Sequence, residues 1–244
     1  MVNITATEYA FEAPDTILAG WNTFHLVNRG DEPHAATILR LAPGRTLPQY
    51  IQAYGDAIRT RRPRPDWVRA LGGPTAVPHG EGNATLNLEP GTYAWIDLPW
   101  HLLDHDQAHA FVVRPRTGNT PPPSAPVPTV SLRMFDFGFE LSAPIKAGKH
   151  LIRIANRGVE PHHALLFKLG PGKTIEQHKA WLSRNMQGEA PSTFVSGTGG
   201  HATGAETFLA VDLTPGDYVL VCLVAGRDEV PHFTKGMIQQ IRVE

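Results

Sequence analysis

Short apolar runs bounded by turn residues recur along the chain. Examples are residues 24–27, 151–154, 164–169 and 218–222, and residues 238–243 space their apolar positions for one buried face. Runs of this length between turn signals are typical of β-strands rather than of helices. With 23 glycines and 22 prolines among 244 residues, the pattern predicts an all-β chain with many turns.

Two segments instead carry apolar residues at helical spacing. One runs from Leu47 to Ile58 and the other from Ile175 to Met186. Each is preceded by a threonine with a glutamine three residues later, which is the capping-box pattern of a helix start. Such apolar stripes face a core. We therefore predict one short helix in each half of the chain.

The two halves repeat one another. Residues 28–34 (Asn-Arg-Gly-Asp-Glu-Pro-His) match residues 156–162 (Asn-Arg-Gly-Val-Glu-Pro-His), and Pro-Gly-x-Tyr at 90–93 matches 215–218. The latter pattern resembles the turn and anchored tyrosine of Greek-key sandwiches. A proline-rich stretch between the copies is typical of a stiff linker. We predict a first domain over residues 1–115, a linker over 116–130 and a second domain over 131–244.

Charge and apolar content exclude several classes of partner. The net charge is −1, which gives no bias toward nucleic acid, and no apolar run is long enough to span a bilayer. The first residues are typical of a strand and not of a secretion signal, so an exported protein would have lost its signal already. One cysteine allows no internal disulfide and carries no information on compartment. Nothing in the pattern specifies an oligomeric state.

The single cysteine, Cys222, begins a series of metal-binding residue types. Nine residues separate it from His232, and four more separate His232 from Met237. A lone buried cysteine is usually a small apolar core residue. One thiol followed by an imidazole and a thioether, however, is typical of a mononuclear copper site whose second imidazole lies upstream. Glu160-Pro161-His162-His163 supplies that imidazole, and the side chains of His162 and His163 would point to opposite faces of an extended strand.

These motifs resemble those of the cupredoxin family, over nearly the whole of each copy. The resemblance implies two tandem Greek-key β-sandwiches, each with a short helical insertion. It also implies a type 1 copper site in the second domain, with His162, Cys222 and His232 as ligands and Met237 as the axial ligand. The loop from Cys222 to His232 is longer here than in the small blue proteins of the family.

The first copy has a different set of candidate ligands. Asp97 stands where the second copy has Cys222, and His34 stands where it has His162. Together with His105 and His109 they would form a nitrogen and oxygen site suited to copper or zinc without strong colour. The alternative is a degenerate copy whose histidines are exposed to solvent.

The resemblance implies one-electron transfer with a redox partner protein outside the cytoplasm. Copper storage or delivery is a first alternative. A metal-dependent oxidoreductase, with a centre in the first domain or at a subunit interface, is a second. In multicopper enzymes, His-Cys-His and His-x-His motifs link the blue site to the catalytic copper. The sequence contains neither motif, which disfavours the oxidoreductase alternative.

Overall fold

Short strands dominate the chain in the computed structural model, which describes residues 1–97, 102, 107–117, 123–226 and 228–244. In the first half they are β1 (Val2–Ala6), β2 (Phe11–Glu12), β3 (Thr16–Leu18), β4 (Gly20–Asn28), β5 (His34–Ala35), β6 (Thr37–Leu41), β7 (Val68–Ala70), β8 (Thr75–Ala76), β9 (Glu81–Leu88), β10 (Gly91–Ile96) and β11 (Ala108–Arg114). In the second half they are β12 (Val130–Phe135), β13 (Gly138–Leu141), β14 (Gly148–Asn156), β15 (Leu165–Leu169), β16 (Ser192–Gly197), β17 (Glu206–Leu213), β18 (Gly216–Val221) and β19 (Ile238–Val243).

Among the elements whose bounds the structure describes, each half carries one α-helix, as predicted: α1 (Leu47–Thr60) and α2 (Ile175–Ser183). Both begin with a complete capping box. Helix α2 ends before Met186, because Asn185 and Met186 adopt positive φ angles of 53° and 61°. The predicted apolar stripe was therefore too long at its end. In the described residues no helix is long and apolar enough to cross a membrane.

The strands form two β-sandwiches that share one sheet. An eight-stranded sheet has the order β13-β12-β14-β17-β9-β4-β1-β2. A five-stranded sheet (β3-β11-β10-β6-β7) packs on its first-domain end around an apolar core that includes Phe24 and Trp95. A four-stranded sheet (β16-β15-β18-β19) packs on its other end around a core that includes Ile154 and Leu220. The prediction of two sandwiches with helical insertions is confirmed.

The sheets join where corresponding strands of the two copies meet. Strand β9 pairs antiparallel with β17, with Ala84 opposite Leu209. These two residues occupy equivalent positions, because Leu88 matches Leu213 in the repeat and each residue lies four positions before that leucine. The junction therefore has approximate two-fold symmetry. The predicted linker is described only outside residues 118–122, and the domain boundaries stay a prediction.

A second contact between the halves requires a glycine. Gly72 donates its N–H to the carbonyl of Gly200 at 2.8 Å, and its φ angle is +87°. A Cβ at this position would lie 2.5 Å from Nε2 of His201. Left-handed backbone and the close approach of a buried ring together explain why no larger residue fits here.

We expect Gly72→Ala to destabilise the metal-free protein more than Gly44→Ala does. Gly44 has a similar φ angle of +78°, but a Cβ added there would meet nothing within 4 Å, so it controls for backbone strain. Strain alone costs about 1–2 kcal/mol, and overlap with His201 adds about 1–3 kcal/mol at Gly72. Urea unfolding measures the difference, and equal losses for the two variants would contradict the close packing.

Candidate metal centre

Four buried side chains of the second domain converge at one end of its sandwich. Cys222 directly follows β18, Met237 directly precedes β19, and His232 begins the 3-10 helix His232–Lys235 in the loop between them. His162 lies between β14 and β15. All four are 0% exposed. The strand pairing of β18 with β19 continues into the site, since the N–H of Cys222 donates to the carbonyl of Met237 at 3.1 Å.

The loop that carries His232 is folded back onto the cysteine. The N–H of Phe233 donates to the carbonyl of Cys222 at 3.0 Å, and the N–H of His232 donates to that of Val224 at 2.9 Å. The N–H of Met237 donates to the carbonyl of His232 at 3.0 Å. Backbone hydrogen bonds thus fix the long loop, and its length does not leave His232 exposed.

Three of these side chains bring ligand atoms together. The ligand atoms of His162, Cys222 and His232 all lie within 4.8 Å of one another. The two Nδ1 atoms are 3.0 Å apart, and Sγ of Cys222 is 3.6 Å from Nδ1 of His232. In the described part of the chain, no other group of three histidine, cysteine or acidic side chains meets this criterion.

Two carboxylates orient the imidazoles. Nε2 of His162 is 2.8 Å from Oδ1 of Asp136, and Nε2 of His232 is 3.0 Å from Oε2 of Glu160. An ionised carboxylate only accepts hydrogen bonds, so each Nε2 must carry the proton. Both Nδ1 atoms then present lone pairs to the same point. Two lone pairs 3.0 Å apart repel one another unless a cation or a proton lies between them.

Burial dominates the protonation of the metal-free site. It raises the pKa of the Cys222 thiol to about 12, against the opposing effect of the N–H groups of His163 and Val224. Burial also lowers the pKa of His162, although its bond to Asp136 acts in the opposite direction. At Asp136 burial would raise the pKa, but the N–H of Val159 and the His162 ring outweigh it and lower the pKa. A bound cation would replace the thiol proton.

His163 contacts both the cysteine and the residue after it. Its N–H donates to Sγ of Cys222 at 3.4 Å, and its ring Nε2 accepts the N–H of Leu223 at 2.7 Å. Burial lowers the pKa of this ring to about 3, so it stays neutral and keeps the accepting lone pair. The ring therefore ties the segment of His162 and His163 to the loop after Cys222.

The carboxylates were not among the residues predicted from the sequence. Glu160 had a signal, because Glu-Pro-His occurs in both copies. Asp136 had no local signal, because it reaches His162 from the turn between β12 and β13.

Among the described residues of the first domain's predicted set, His34 and Asp97 lie together. Nδ1 of His34 lies 2.5 Å from Oδ2 of Asp97, and the N–H of Ala35 donates to Oδ1 at 2.6 Å. The latter bond corresponds to that from His163 to Cys222. In the first domain a hydrogen bond therefore lies where the second domain brings imidazole and thiol together. His105 lies outside the described residues.

His109 does not take the place of Met237. The N–H of Asp97 donates to the carbonyl of Gln107, as that of Cys222 does to Met237, so Gln107 is the counterpart of Met237. The loop after Asp97 is shorter, and His109 already lies within β11. Its Nε2 is 3.0 Å from Oδ1 of Asp15, and it forms no three-residue group with His34 and Asp97.

We expect Asp97→Ala to lower the free energy of unfolding by about 3 kcal/mol, since it leaves buried donors without an acceptor. Asp56→Ala removes an exposed partner of Arg59 and serves as the matched control, with an expected change below about 1 kcal/mol. Chemical unfolding of the metal-free protein tests this. Equal stability of the two variants would show that the His34–Asp97 bond does not hold the first domain together.

No protein-family model matches the chain, and no curated protein sequence matches it. Several solved structures of copper proteins are similar to it. Auracyanin from Roseiflexus castenholzii is 16% identical, with a TM-score of 0.35, over 47% of this chain and 94% of its own. Auracyanin A from Chloroflexus aurantiacus, a blue copper protein, is 18% identical, with a TM-score of 0.32, over 47% and 98%.

A blue copper oxidase from Nitrosomonas europaea is 13% identical, with a TM-score of 0.28, and the match covers 99% of this chain and 85% of that one. At these scores the similarities carry no inference about function. The chain's own strands and side chains define it as a two-domain cupredoxin-like protein, with a His-Cys-His cluster beside Met237 that fits a type 1 site.

Proposed function

We propose that the second domain binds one copper ion through His162, Cys222 and His232, with Met237 as the axial ligand, and that the protein carries single electrons. The observation that carries this proposal is the pair of Nδ1 atoms, 3.0 Å apart and each opposite a carboxylate-bound Nε2. Such a pair, beside a buried thiol, is arranged to hold a cation.

The donor set favours copper over harder metals. Two imidazoles and one thiolate, with a weak axial thioether, are the ligands of blue copper sites. Magnesium and calcium prefer oxygen ligands, and the carboxylates here are turned to the Nε2 atoms instead. Bound copper would supply a centre that alternates between Cu(II) and Cu(I).

Burial favours electron transfer over copper delivery from this site. Copper delivery requires a ligand that an acceptor can reach, and catalysis at this same ion would require an open coordination position. None of the four proposed ligands has exposed surface. Ligands that are fixed by backbone and carboxylate bonds also change little between the two oxidation states, which lowers the reorganisation that electron transfer requires.

We place the docking site of the redox partner at the end of the sandwich that covers His232. Glu160, 20% exposed, lies between the ring and solvent, and Phe137 packs edge-on to the ring with centroids 5.2 Å apart. Val159 and Val230 flank this end and are 73% and 40% exposed. We place the electron exchange with this partner outside the cytoplasm, as the cupredoxin resemblance implies.

The cysteine variant tests copper binding. Copper-loaded wild type should show an intense thiolate-to-copper absorption band, because Cys222 donates charge to the metal. Cys222→Ser should lose that band completely and keep the fold, as monitored by near-UV circular dichroism. An intense band that persists in the variant would contradict the proposed ligand set.

Metal counting tests the first domain. Since the His34–Asp97 bond lies where a metal would bind, we expect one copper ion per chain in wild type and still one in His34→Ala, with the absorption band unchanged. Mass spectrometry under native conditions or elemental analysis gives the count. Two ions in wild type and one in His34→Ala would establish a second site and support the oxidoreductase alternative.

A further inference from the structure

We propose that His201 is a positioning residue through which the first domain holds His162 in place. This inference rests on the proposed function for its meaning, since His162 matters as a copper ligand. It concerns a side chain that does not touch the metal position and that neither copy's motif indicates.

The backbone of His201 is bonded to that of His162 in both directions. The N–H of His162 donates to the carbonyl of His201 at 3.0 Å, and the N–H of His201 donates back at 2.7 Å. This isolated bridge lies outside the named strands. The side chain of Asn156 also donates to the carbonyl of His201 at 2.9 Å. The position of His162 along its segment is therefore set by where His201 lies.

The ring of His201 is in turn attached to the first domain. Its Nε2 is 2.9 Å from Oγ1 of Thr207, and that hydroxyl donates to the carbonyl of Leu71 at 3.0 Å. The hydroxyl has one proton, which goes to the carbonyl, so Nε2 must be the donor to the hydroxyl oxygen. The ring is buried. Leu71 and His201 also form a backbone bridge.

Backbone bonds on both sides of the ring fix this contact. The N–H of Ala202 donates to the carbonyl of Ala70 at 2.8 Å, and the N–H of Gly72 donates to that of Gly200 at 2.8 Å. A path of direct contacts therefore runs from Leu71 through Thr207 and His201 to His162. A shift of the first domain against the second would displace the ligand.

The described residues of the first domain do not repeat this path at the corresponding positions. In the second domain His201 lies opposite His162, whereas in the first domain Ala76 lies opposite His34. Leu88 matches Leu213 in the repeat, and Gly82 and Thr207 each lie six residues before that leucine, so Gly82 is the counterpart of Thr207. Neither alanine nor glycine can make the corresponding side-chain bonds.

Three threonine variants separate positioning from general support of the junction. Thr207→Val removes the hydroxyl and keeps the shape, and Thr207→Ser keeps the hydroxyl. Thr75→Val is the matched control, because the Thr75 hydroxyl donates across the same junction to the carbonyl of Gly197 at 3.0 Å, a bond that does not involve His201.

The first measurement needs no metal. Amide hydrogen exchange of the metal-free protein, followed by NMR, should show the N–H of His162 exchanging about tenfold faster in Thr207→Val, as expected for a lost buried hydrogen bond. Thr207→Ser and Thr75→Val should keep the wild-type rate. Equal rates for His162 in Thr207→Val and Thr75→Val would overturn the proposal.

The second measurement uses copper-loaded protein. The thiolate band or the copper hyperfine splitting should shift in Thr207→Val and return in Thr207→Ser, while Thr75→Val matches wild type. An unchanged signature in Thr207→Val would overturn the claim that the link positions a ligand. A wild type without any thiolate band would instead refute the copper proposal, and the exchange rates alone would then decide whether His201 holds His162.

Discussion

The candidate centre depends on one constraint: two carboxylates determine which nitrogen of each imidazole faces the pocket. Asp136 and Glu160 each accept from an Nε2–H, so both Nδ1 lone pairs converge beside the Cys222 thiol. Hydrogen bonds from outside the ligand shell commonly set the tautomer and basicity of metal-binding histidines. Without these contacts nothing would keep the proton of each ring on Nε2, and the Nδ1 lone pairs would no longer be available at the same point.

The remainder of the second domain keeps this arrangement in place. The β18–β19 pairing sets Cys222 beside Met237, and His163 ties Leu223, the residue after Cys222, to the segment that carries His162. The first domain contributes through the shared sheet and through the contacts around His201. The first domain thus has a structural part in the site even though its own equivalent position contains a hydrogen bond between His34 and Asp97.

The sequence alone predicted the features that depend on local pattern. Short apolar runs predicted the strands, capping boxes predicted the helix starts, and the order of Cys222, His232 and Met237 indicated a candidate metal site, where ligand atoms of His162, Cys222 and His232 lie together. It did not predict Asp136, which approaches from another turn, or His201, which acts through contacts between the domains. It also misplaced His109, because matching residues across loops of unequal length cannot locate where β11 begins. In the structure, the hydrogen bond from Asp97 to Gln107 shows that Gln107 is the counterpart of Met237.

The central claim is that a buried, rigid set of two imidazoles and one thiolate holds copper. X-ray absorption spectroscopy at the copper edge, on the oxidised and reduced forms, tests it most directly. We expect one short copper–sulfur bond and two copper–nitrogen bonds in both forms, with little change in length between them. A first shell without sulfur, or one that gains oxygen ligands on oxidation, would contradict it.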